Sequence, residues 1–222
     1  MRHSPLFEHF KGLRELLDLH AEADARTSSF LRLSGLGCLP GCGSCCDAPS
    51  ASIECTVLEA MPMALMLWDT GRAGAAHNLA SDASDTGRCV LYSGPSLERG
   101  LGGCSEYASR PLVCRLFGFS SVRDKRGQSR LSLCGRVRQS HAARAHAASE
   151  MVTTGVDLPS MAGFHTRARG LNPALAAQRS GINTALMKAL ERVMLTARMM
   201  GLSPSGGQRQ RGEGGLVEGQ AL

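Results

Sequence analysis

Apolar residues recur at helical spacing near both ends of the chain, and each run predicts an amphipathic helix. The first run has successive separations of four, three and four residues and predicts a helix over residues 5–29. The second predicts a helix with Asn172 as its cap and Pro173 in its first turn, ending at Gly201. The two apolar stripes are Leu6, Phe10, Leu13 and Leu17, and Ile182, Leu186, Leu190, Val193, Ala197 and Met200. We therefore expect helices from both ends to pack around the middle of the chain.

Shorter elements are predicted between these two helices. Thr56 and Glu59 form a capping box in front of a run with helical spacing, which Pro62 is expected to delay or bend. Residues 34–49 and 70–87 are rich in glycine and turn residues and are expected to be loops. The remaining pattern predicts helices at residues 56–68, 112–117 and 140–152, and strands at 89–92, 103–107 and 131–134. The sequence thus predicts a mainly α fold with a small irregular β element.

Length and composition fit one folded domain. The chain has 222 residues, of which 43% are hydrophobic and 20% charged, so it can bury a core and is not disordered throughout. We expect a single domain over residues 1–202, in which a cysteine-rich region at 35–138 is flanked by helical segments at 1–34 and 139–202. Residues 203–222 are rich in glycine and glutamine, which predicts a disordered tail.

The hydrophobic pattern argues against a membrane protein. The longest apolar run, residues 60–68, contains Pro62 and is too short to cross a bilayer. The first residues carry charges throughout and lack the apolar stretch of a signal peptide. We therefore expect a cytoplasmic protein. In that reducing compartment its nine cysteines point to metal ligation or redox chemistry rather than to disulfides.

The spacing of the cysteines is typical of metal binding. Four of them follow the pattern C-x3-C-x2-C-C over residues 38–46, and Cys42 and Cys45 have the chelate spacing of zinc and iron–sulfur loops. Since neighbouring side chains diverge, Cys45 and Cys46 are expected to serve different centres or opposite sides of one cluster. Four more cysteines follow at wider intervals, and Cys55 stands alone.

Basic residues are concentrated around the later cysteines. Between Cys104 and His146 the chain has nine basic and two acidic residues, a local net charge of +7. Cations offset the negative charge of a metal held by thiolates, and they favour the thiolate form that binds the metal. Arg110 and Arg115 lie between cysteines and are expected to face the site as cofactor-binding residues, whereas residues 123–130 are expected to form a solvated basic surface.

The chain resembles the YkgJ-type cysteine-cluster proteins, also described as the CxxCxxCC zinc- or iron-chelating domain. The stretches that carry the resemblance are CLPGCGSCC at 38–46, GRCVLY at 87–92, CSEYASRPLVCRLFGF at 104–119 and the later Cys134. Together they span residues 35–138, and the RP-x2-CR-x-F element is the most specific of them. The resemblance implies eight metal ligands, namely Cys38, Cys42, Cys45, Cys46, Cys89, Cys104, Cys114 and Cys134. Cys55 falls outside this set and is expected to be an ordinary buried thiol.

The sequence departs from the family pattern in three places. Glu106 stands at a usually apolar position, Gly118 stands where proline is common, and the connection from Cys89 to Cys104 is long. These departures concern the local strand geometry more than the ligands.

The resulting functional hypothesis is a metal-binding protein that coordinates an iron–sulfur cluster, the preferred cofactor, or zinc. Eight cysteines divide into two sets of four, and the arginine-rich surroundings suit a cluster whose sulfides accept hydrogen bonds. Flagellin-lysine methylases carry a similar cysteine pattern, which implies a role in redox or protein-modification chemistry with a protein partner. No nucleotide-binding motif such as G-x-G-x-x-G supports this chemistry, and the sequence leaves enzymatic activity open.

Two alternatives come from other functional classes. The net charge of +6 permits a nucleic-acid-binding zinc module, but aromatic residues are only 4% of the chain and the basic residues surround the cysteines. The sequence therefore argues against a nucleic-acid partner. A thiol-based redox enzyme would use the adjacent Cys45 and Cys46. Its candidate bases are His77, His141, His146 and His165, none of which lies in a recognisable motif.

Overall fold

The computed structural model describes residues 4–83, 86–96 and 101–203. Over this part of the chain it confirms a mainly α protein with a small irregular β element. Its helices are α1 (Leu13–Ser34), α2 (Val57–Asp69), α3 (Ala73–Asp82), α4 (Leu112–Leu116), α5 (Gly135–Ser140), α6 (Ala142–Thr153), α7 (Met161–Leu171), α8 (Pro173–Ala176) and α9 (Ile182–Met199). Its strands are β1 (Glu54–Thr56), β2 (Tyr92–Ser96), β3 (Leu101–Cys104), β4 (Phe119–Arg123), β5 (Ser129–Leu133) and β6 (Arg179–Gly181). The predicted tail, apart from residue 203, lies outside the described residues.

The strands form three antiparallel pairs instead of one continuous sheet. β2 pairs with β3 and β4 pairs with β5, each joining neighbours in sequence. The third pair joins β1 to the distant β6, where Cys55 is opposite Ser180. This last pair ties the segment before α2 to the segment before α9.

Two hydrophobic cores hold the helices together. The larger core lies between α2 and α9 and also receives residues of α1, α4 and α7, with Leu58, Met61 and Leu186 completely buried. The smaller core collects Phe30 at the end of α1, Phe119 and Leu131 of the β4–β5 pair, and residues of α5 and α6. The cysteine-rich loops lie beside both cores.

The capping box and the central short helix are confirmed. The Thr56 side chain accepts a hydrogen bond from the Glu59 amide, and the Glu59 carboxylate accepts one from the Thr56 amide. Pro62 lies inside α2 without ending it. The predicted helix at 112–117 is α4, and residues 34–49 form a loop of turns, as expected.

Other boundaries predicted from the sequence are wrong. The first helix begins at Leu13 and not at residue 5, because Gly12 adopts a left-handed conformation with φ of +86° and interrupts the chain. The long C-terminal helix is likewise divided, since β6 interrupts it between α8 and α9. The predicted strands at 89–92 and 103–107 are displaced to β2 and β3.

Several elements were absent from the sequence prediction, among them α5, β1 and β6. Helix α3 replaces most of the expected loop at 70–87, because its buried face consists of Ala73, Ala76 and Ala80, whose small side chains give little hydrophobic signal. Helix α7 and strand β4 were also missed. Within the described ranges, none of the helices has the length and apolar character needed to span a membrane.

Candidate metal centre

The glycine-rich loop at residues 35–49 carries four of the cysteines and docks on β3. Two tight turns shape it, in which the Cys42 amide donates to the Leu39 carbonyl at 3.1 Å and the Cys46 amide to the Gly43 carbonyl at 2.9 Å. Gly43 lies so close to β3 that a Cβ atom there would be 2.7 Å from the Gly102 carbonyl oxygen. Only glycine allows this approach without displacing backbone, so Gly43 sets the position of the loop.

The other four cysteines come from four different elements. Cys89 precedes β2, Cys104 ends β3, Cys114 lies in α4, and Cys134 follows β5 and caps α5. In β2–β3 the pairing of Tyr92 with Cys104 brings the end of β3 back towards Cys89. The fold therefore brings together cysteines that are far apart in sequence.

Gly118 explains one departure from the family pattern. Its backbone has a φ of +81°, which a proline cannot adopt, and its carbonyl accepts a hydrogen bond from the Cys134 amide at 3.2 Å. A Cβ atom on Gly118 would lie 2.9 Å from the Cys134 Cβ. The glycine thus places Cys134 beside the end of α4.

Asn183, a residue that the sequence analysis missed, fixes the backbone around Cys89. It lies in α9 with only 5% of its surface exposed. Its side-chain amide donates to the Arg88 carbonyl at 2.9 Å and accepts from the Val90 amide at 3.0 Å. The sequence does contain one sign of this role, since Asn183 is a polar residue next to the apolar stripe of the last helix. Asn183 holds both neighbours of Cys89 and is a positioning residue for that thiol.

Asn183→Ala is expected to lower the free energy of unfolding by about 1–3 kcal/mol, because it leaves a partly buried amide and a partly buried carbonyl without their protein partner. Metal content should fall with it, since Cys89 loses its support. Chemical denaturation and elemental analysis of the purified protein measure both effects. Lys188→Ala, an exposed position on the same helix, is the matched control and should change neither.

The thiols on the buried side of the site resist ionisation. Burial raises the pKa of Cys89 to about 11 and that of Cys114 to about 12, and it also raises the pKa of Cys104. A buried thiolate is unfavourable without a compensating cation. These sulfurs therefore favour the thiol form until a positive centre is present.

Two thiols of the glycine-rich loop, in contrast, have lowered pKa values. Cys45 is exposed and its Sγ lies 3.9 Å from that of Cys46. A hydrogen bond from Cys46 lowers the pKa of Cys45 to about 6, and the same bond and burial raise the pKa of Cys46. Hydrogen bonding between Cys42 and Ser44 lowers the pKa of Cys42. Cys42 and Cys45 are thus the thiols most readily converted to thiolate, the form that binds metals.

The eight thiols approach one another without forming a closed ligand cage. The charge on Cys45 influences the titration of Cys38, Cys104 and Cys114, so these sulfurs lie within electrostatic range of the loop. Even so, among the residues that the structure describes, no three His, Cys, Asp or Glu side chains are placed so that they could hold a metal ion. The donor set fits a thiophilic metal by its chemistry.

Arg110 supplies positive charge to this site. It lowers the pKa values of Cys45, Cys104 and Cys114 through its charge, although burial outweighs this for the last two. Its guanidinium stacks on Tyr107, with 3.6 Å from Cζ to the ring centre. The buried Nε and Nη1 groups have no hydrogen-bond partner among the described residues. Arg110 therefore carries donors that a sulfur ligand could use.

The Arg115 side chain lies in a network of hydrogen bonds between α1 and the segment that leads into α4. Its guanidinium donates to the Asp24 carboxylate and the Ala108 carbonyl, and its Nε donates to the Arg110 carbonyl at 2.9 Å. These bonds join α1 to α4 and support the backbone of Arg110. Arg115 thus holds the backbone of Arg110 in place.

His20 is buried at the same interface between α1 and α4. Only 3% of its surface is exposed, and neither ring nitrogen has a hydrogen-bond partner within the described segments. Burial, followed by the charges of Arg115 and Arg110, lowers the pKa of His20 to about 3. The imidazole is therefore neutral at physiological pH.

The remaining candidate residues have other surroundings. Cys55 is completely buried in β1, within electrostatic range of Cys89 and Cys114. His77 pairs with Glu191 at 3.5 Å, and His165 pairs with the buried Glu59 at 3.2 Å. Two others, His141 and His146, lie at the start of α6 and on its exposed surface. The basic residues at 123–130 lie mostly at the surface of the β4–β5 hairpin, as expected.

The cysteine-rich segment was compared with known protein families. Residues 37–135 match the model of the CxxCxxCC family, described as a "putative zinc- or iron-chelating domain". This match confirms the resemblance seen in the sequence, and it covers a little under half of the chain. The family description supports chelation of zinc or iron and does not distinguish between them. No curated protein and no solved structure matches the chain.

Proposed function

We propose that this protein binds a metal through Cys38, Cys42, Cys45, Cys46, Cys89, Cys104, Cys114 and Cys134, and that the metal is held as an iron–sulfur cluster rather than as zinc. The family description supports zinc or iron. The observation that favours a cluster is Arg110, a largely buried guanidinium beside the thiols with two unpaired donors. Inorganic sulfides add hydrogen-bond acceptors that a zinc ion lacks.

Each part of the site has a role in this proposal. The loop supplies Cys42 and Cys45, whose lowered pKa values make them the first thiolates to form. The buried cysteines then complete the ligand set and exclude water from one side. Arg110 offsets the negative charge that four thiolates bring to each metal centre. When bound, an iron–sulfur cluster supplies one-electron transfer or a structural support.

Exposed Cys38 and Cys45 place one edge of the site at the protein surface. An electron-transfer or protein-modification partner could approach this edge. We therefore infer a role in redox or protein-modification chemistry with a protein partner, in the cytoplasm.

Anaerobic purification with an absorption spectrum and elemental analysis tests the proposal. A brown protein with stoichiometric iron and acid-labile sulfide is the expected result. Colourless protein with zinc would contradict the cluster and leave metal binding intact. Absence of both metals, even after reconstitution with ferrous iron and sulfide or with zinc, would contradict metal binding itself.

Arg110→Gln is expected to weaken metal retention about 10–100-fold, the usual effect of losing a residue that supports metal ligands. Competition with a chelator measures this change, and circular dichroism shows whether the fold persists. Arg126→Gln removes the same charge from the exposed β4–β5 hairpin and is the control. Equal metal retention in the two variants would remove Arg110 from the site.

A second candidate function, thiol-based redox chemistry, is favoured by one observation, the exposed Cys45 next to Cys46. The imidazoles proposed as its base include His77 and His165, which pair with carboxylates of other helices. Alkylation of metal-free protein with iodoacetamide separates the two functions. A single hyper-reactive cysteine in a protein that binds no metal would favour the thiol enzyme.

A further inference from the structure

Strand β5 (Ser129–Leu133) has a strand beside it on one side only. Within the described residues, β4 and β5 form a sheet of two strands, and the isolated bridge next to this sheet joins Ser121 of β4 to Ser160. The outer side of β4 is covered there, because the Ser121 amide donates to the Pro159 carbonyl at 2.8 Å. β5 is therefore the open edge of the sheet.

The register of the pair shows which backbone groups of β5 point outward. In an antiparallel pair, facing residues alternate between hydrogen-bonded and non-hydrogen-bonded positions. Since the Ser121 amide donates away from β5, its partner Leu131 is at a non-hydrogen-bonded position. Ser129 and Leu133, two residues to either side, have the same orientation. The amides and carbonyls of these three residues point away from β4, and none of them has a backbone partner among the described residues.

This open edge is regular enough to accept another strand. The β4–β5 register continues over all five residue pairs without a bulge, and β5 contains no proline. Edge strands with unpaired backbone groups are templates for pairing with another chain. Addition of an extended peptide to such an edge is a common mode of recognition, in which the backbone supplies affinity and the side chains supply specificity.

Positive charge surrounds the open edge. Residues 117–150 contain seven Lys and Arg residues and two acidic ones, a local net charge of +5. All seven basic side chains are exposed. Only Arg130 of the seven pairs with a described carboxylate, that of Asp124 at 3.0 Å. The uncompensated charge favours a partner with acidic side chains.

A groove beside the edge favours a polypeptide over a nucleic acid. It has a volume of about 720 Å³ and lies between Arg130 of β5, Arg138 of α5 and one face of α6. The α6 face contributes alanine, serine and threonine side chains, an imidazole and the Glu150 carboxylate, which repels phosphate groups. No Phe, Tyr or Trp of the described chain lines the groove, although stacking on such rings is typical of single-stranded nucleic-acid binding.

We propose that the open edge of β5 binds an extended acidic segment of a protein partner as an additional strand. The outward backbone groups of β5 pair with the segment, and Arg130 and Arg138 contact its carboxylates. Cys134 follows β5 directly, so the segment lies next to the candidate metal centre. The inference rests on the proposed role with a protein partner and specifies the chemistry of that partner.

Fluorescence anisotropy of the full chain with a labelled peptide of alternating glutamate and valine tests the strand addition. The peptide should bind, and its affinity should fall as salt is added. Two modified peptides, N-methylated at every valine or at every glutamate, keep the charge and lose alternate backbone donors. One of them should bind about tenfold more weakly than the unmodified peptide, because it loses two or more hydrogen bonds to β5. Equal affinity of all three peptides would overturn strand addition.

Charge-reversal variants locate the binding site. Arg138→Glu and the double variant Arg130→Glu/Arg138→Glu should each weaken peptide binding by about tenfold or more. Arg138 has no salt bridge within the described residues, so its single variant is decisive even if the substitution of Arg130 disturbs the hairpin. Lys188→Glu/Arg192→Glu makes the same change of net charge at exposed positions of α9 and is the matched control. Equal loss of binding in the two double variants would overturn the assignment to β5.

Other occupants of the edge give different results. Preferential binding of a single-stranded oligonucleotide, lost in Arg138→Glu, would assign the surface to nucleic acid and overturn the proposal. A dimer in size-exclusion chromatography that the acidic peptide dissociates would assign the edge to a second copy of the chain. Metal analysis of the same samples separates the two proposals. Metal binding without peptide binding would overturn the docking site alone, and peptide binding by a chain that takes up no metal would overturn only the proposed metal-binding function.

Discussion

Cys114→Ser is expected to lose the metal of its centre and to lower the yield of soluble protein several-fold. Cys114 lies in α4, a short helix between α1 and α7. Serine is a poor ligand for a thiophilic metal, so the substitution removes one of the proposed ligands. Metal binding by structural sites of this type contributes about 10–16 kcal/mol to folding in small zinc domains. Even a fraction of that contribution would exceed the effect of an ordinary surface substitution.

Metal content, soluble yield and thermal unfolding together measure the effect of Cys114→Ser. Cys42→Ser is expected to act in the same direction through the glycine-rich loop, whereas Cys55→Ala should retain the metal. Normal yield with full metal content in both Cys42→Ser and Cys114→Ser would contradict the ligand assignment.

His20 is expected to make the protein less stable in mild acid. Its pKa is lowered from 6.5 to about 3 by burial and by the neighbouring arginines. The unfolded chain therefore binds a proton at His20 below pH 6.5 while the folded chain does not. The contribution of neutral His20 to the free energy of unfolding is therefore fully present above pH 6.5. It is lost progressively as the pH falls towards 3. By pH 5 the loss amounts to about 2 kcal/mol.

Urea unfolding at pH 7 and pH 5 tests this expectation. His20→Leu should remove about 2 kcal/mol of the difference between the two pH values. It should also stabilise the protein at pH 7, since two buried nitrogens without partners disappear. His146→Leu alters an exposed histidine and should leave the pH dependence unchanged. An unchanged pH dependence in His20→Leu would show that folding does not lower the pKa of His20.

Much of the local structure follows directly from side-chain chemistry in the sequence. The capping box at Thr56, the short helix after Pro111 and the loop at 34–49 were predicted because each depends on residues close in sequence. The breaks at Gly12 and at β6 were not, because each depends on a distant partner. Gly12 packs against the Leu171 backbone, and β6 pairs with β1.

In the candidate site, too, features that depend on nearby residues were predicted and features that depend on distant residues were not. The cysteines and Arg110 were found from spacing and local charge. Asn183 was not, because its function depends on α9 packing beside Cys89, more than ninety positions away in sequence. Arg115 has the spacing of a site residue, but Asp24 of α1 determines where its guanidinium points. Cys89 is buried in the larger core and Cys134 packs against the smaller one, a placement that also depends on tertiary packing.

The segment that matches the family relies on chain that lies outside it. Strand β1 hydrogen-bonds to β6, Asn183 of α9 holds the Cys89 backbone, and Asp24 of α1 holds Arg115. A fragment cut at residues 37 and 135 would expose the apolar surface of α2 and lose all three supports. The terminal helices are consequently structural components of the chelating region, and an excised fragment would be a poor substitute for the whole protein in reconstitution.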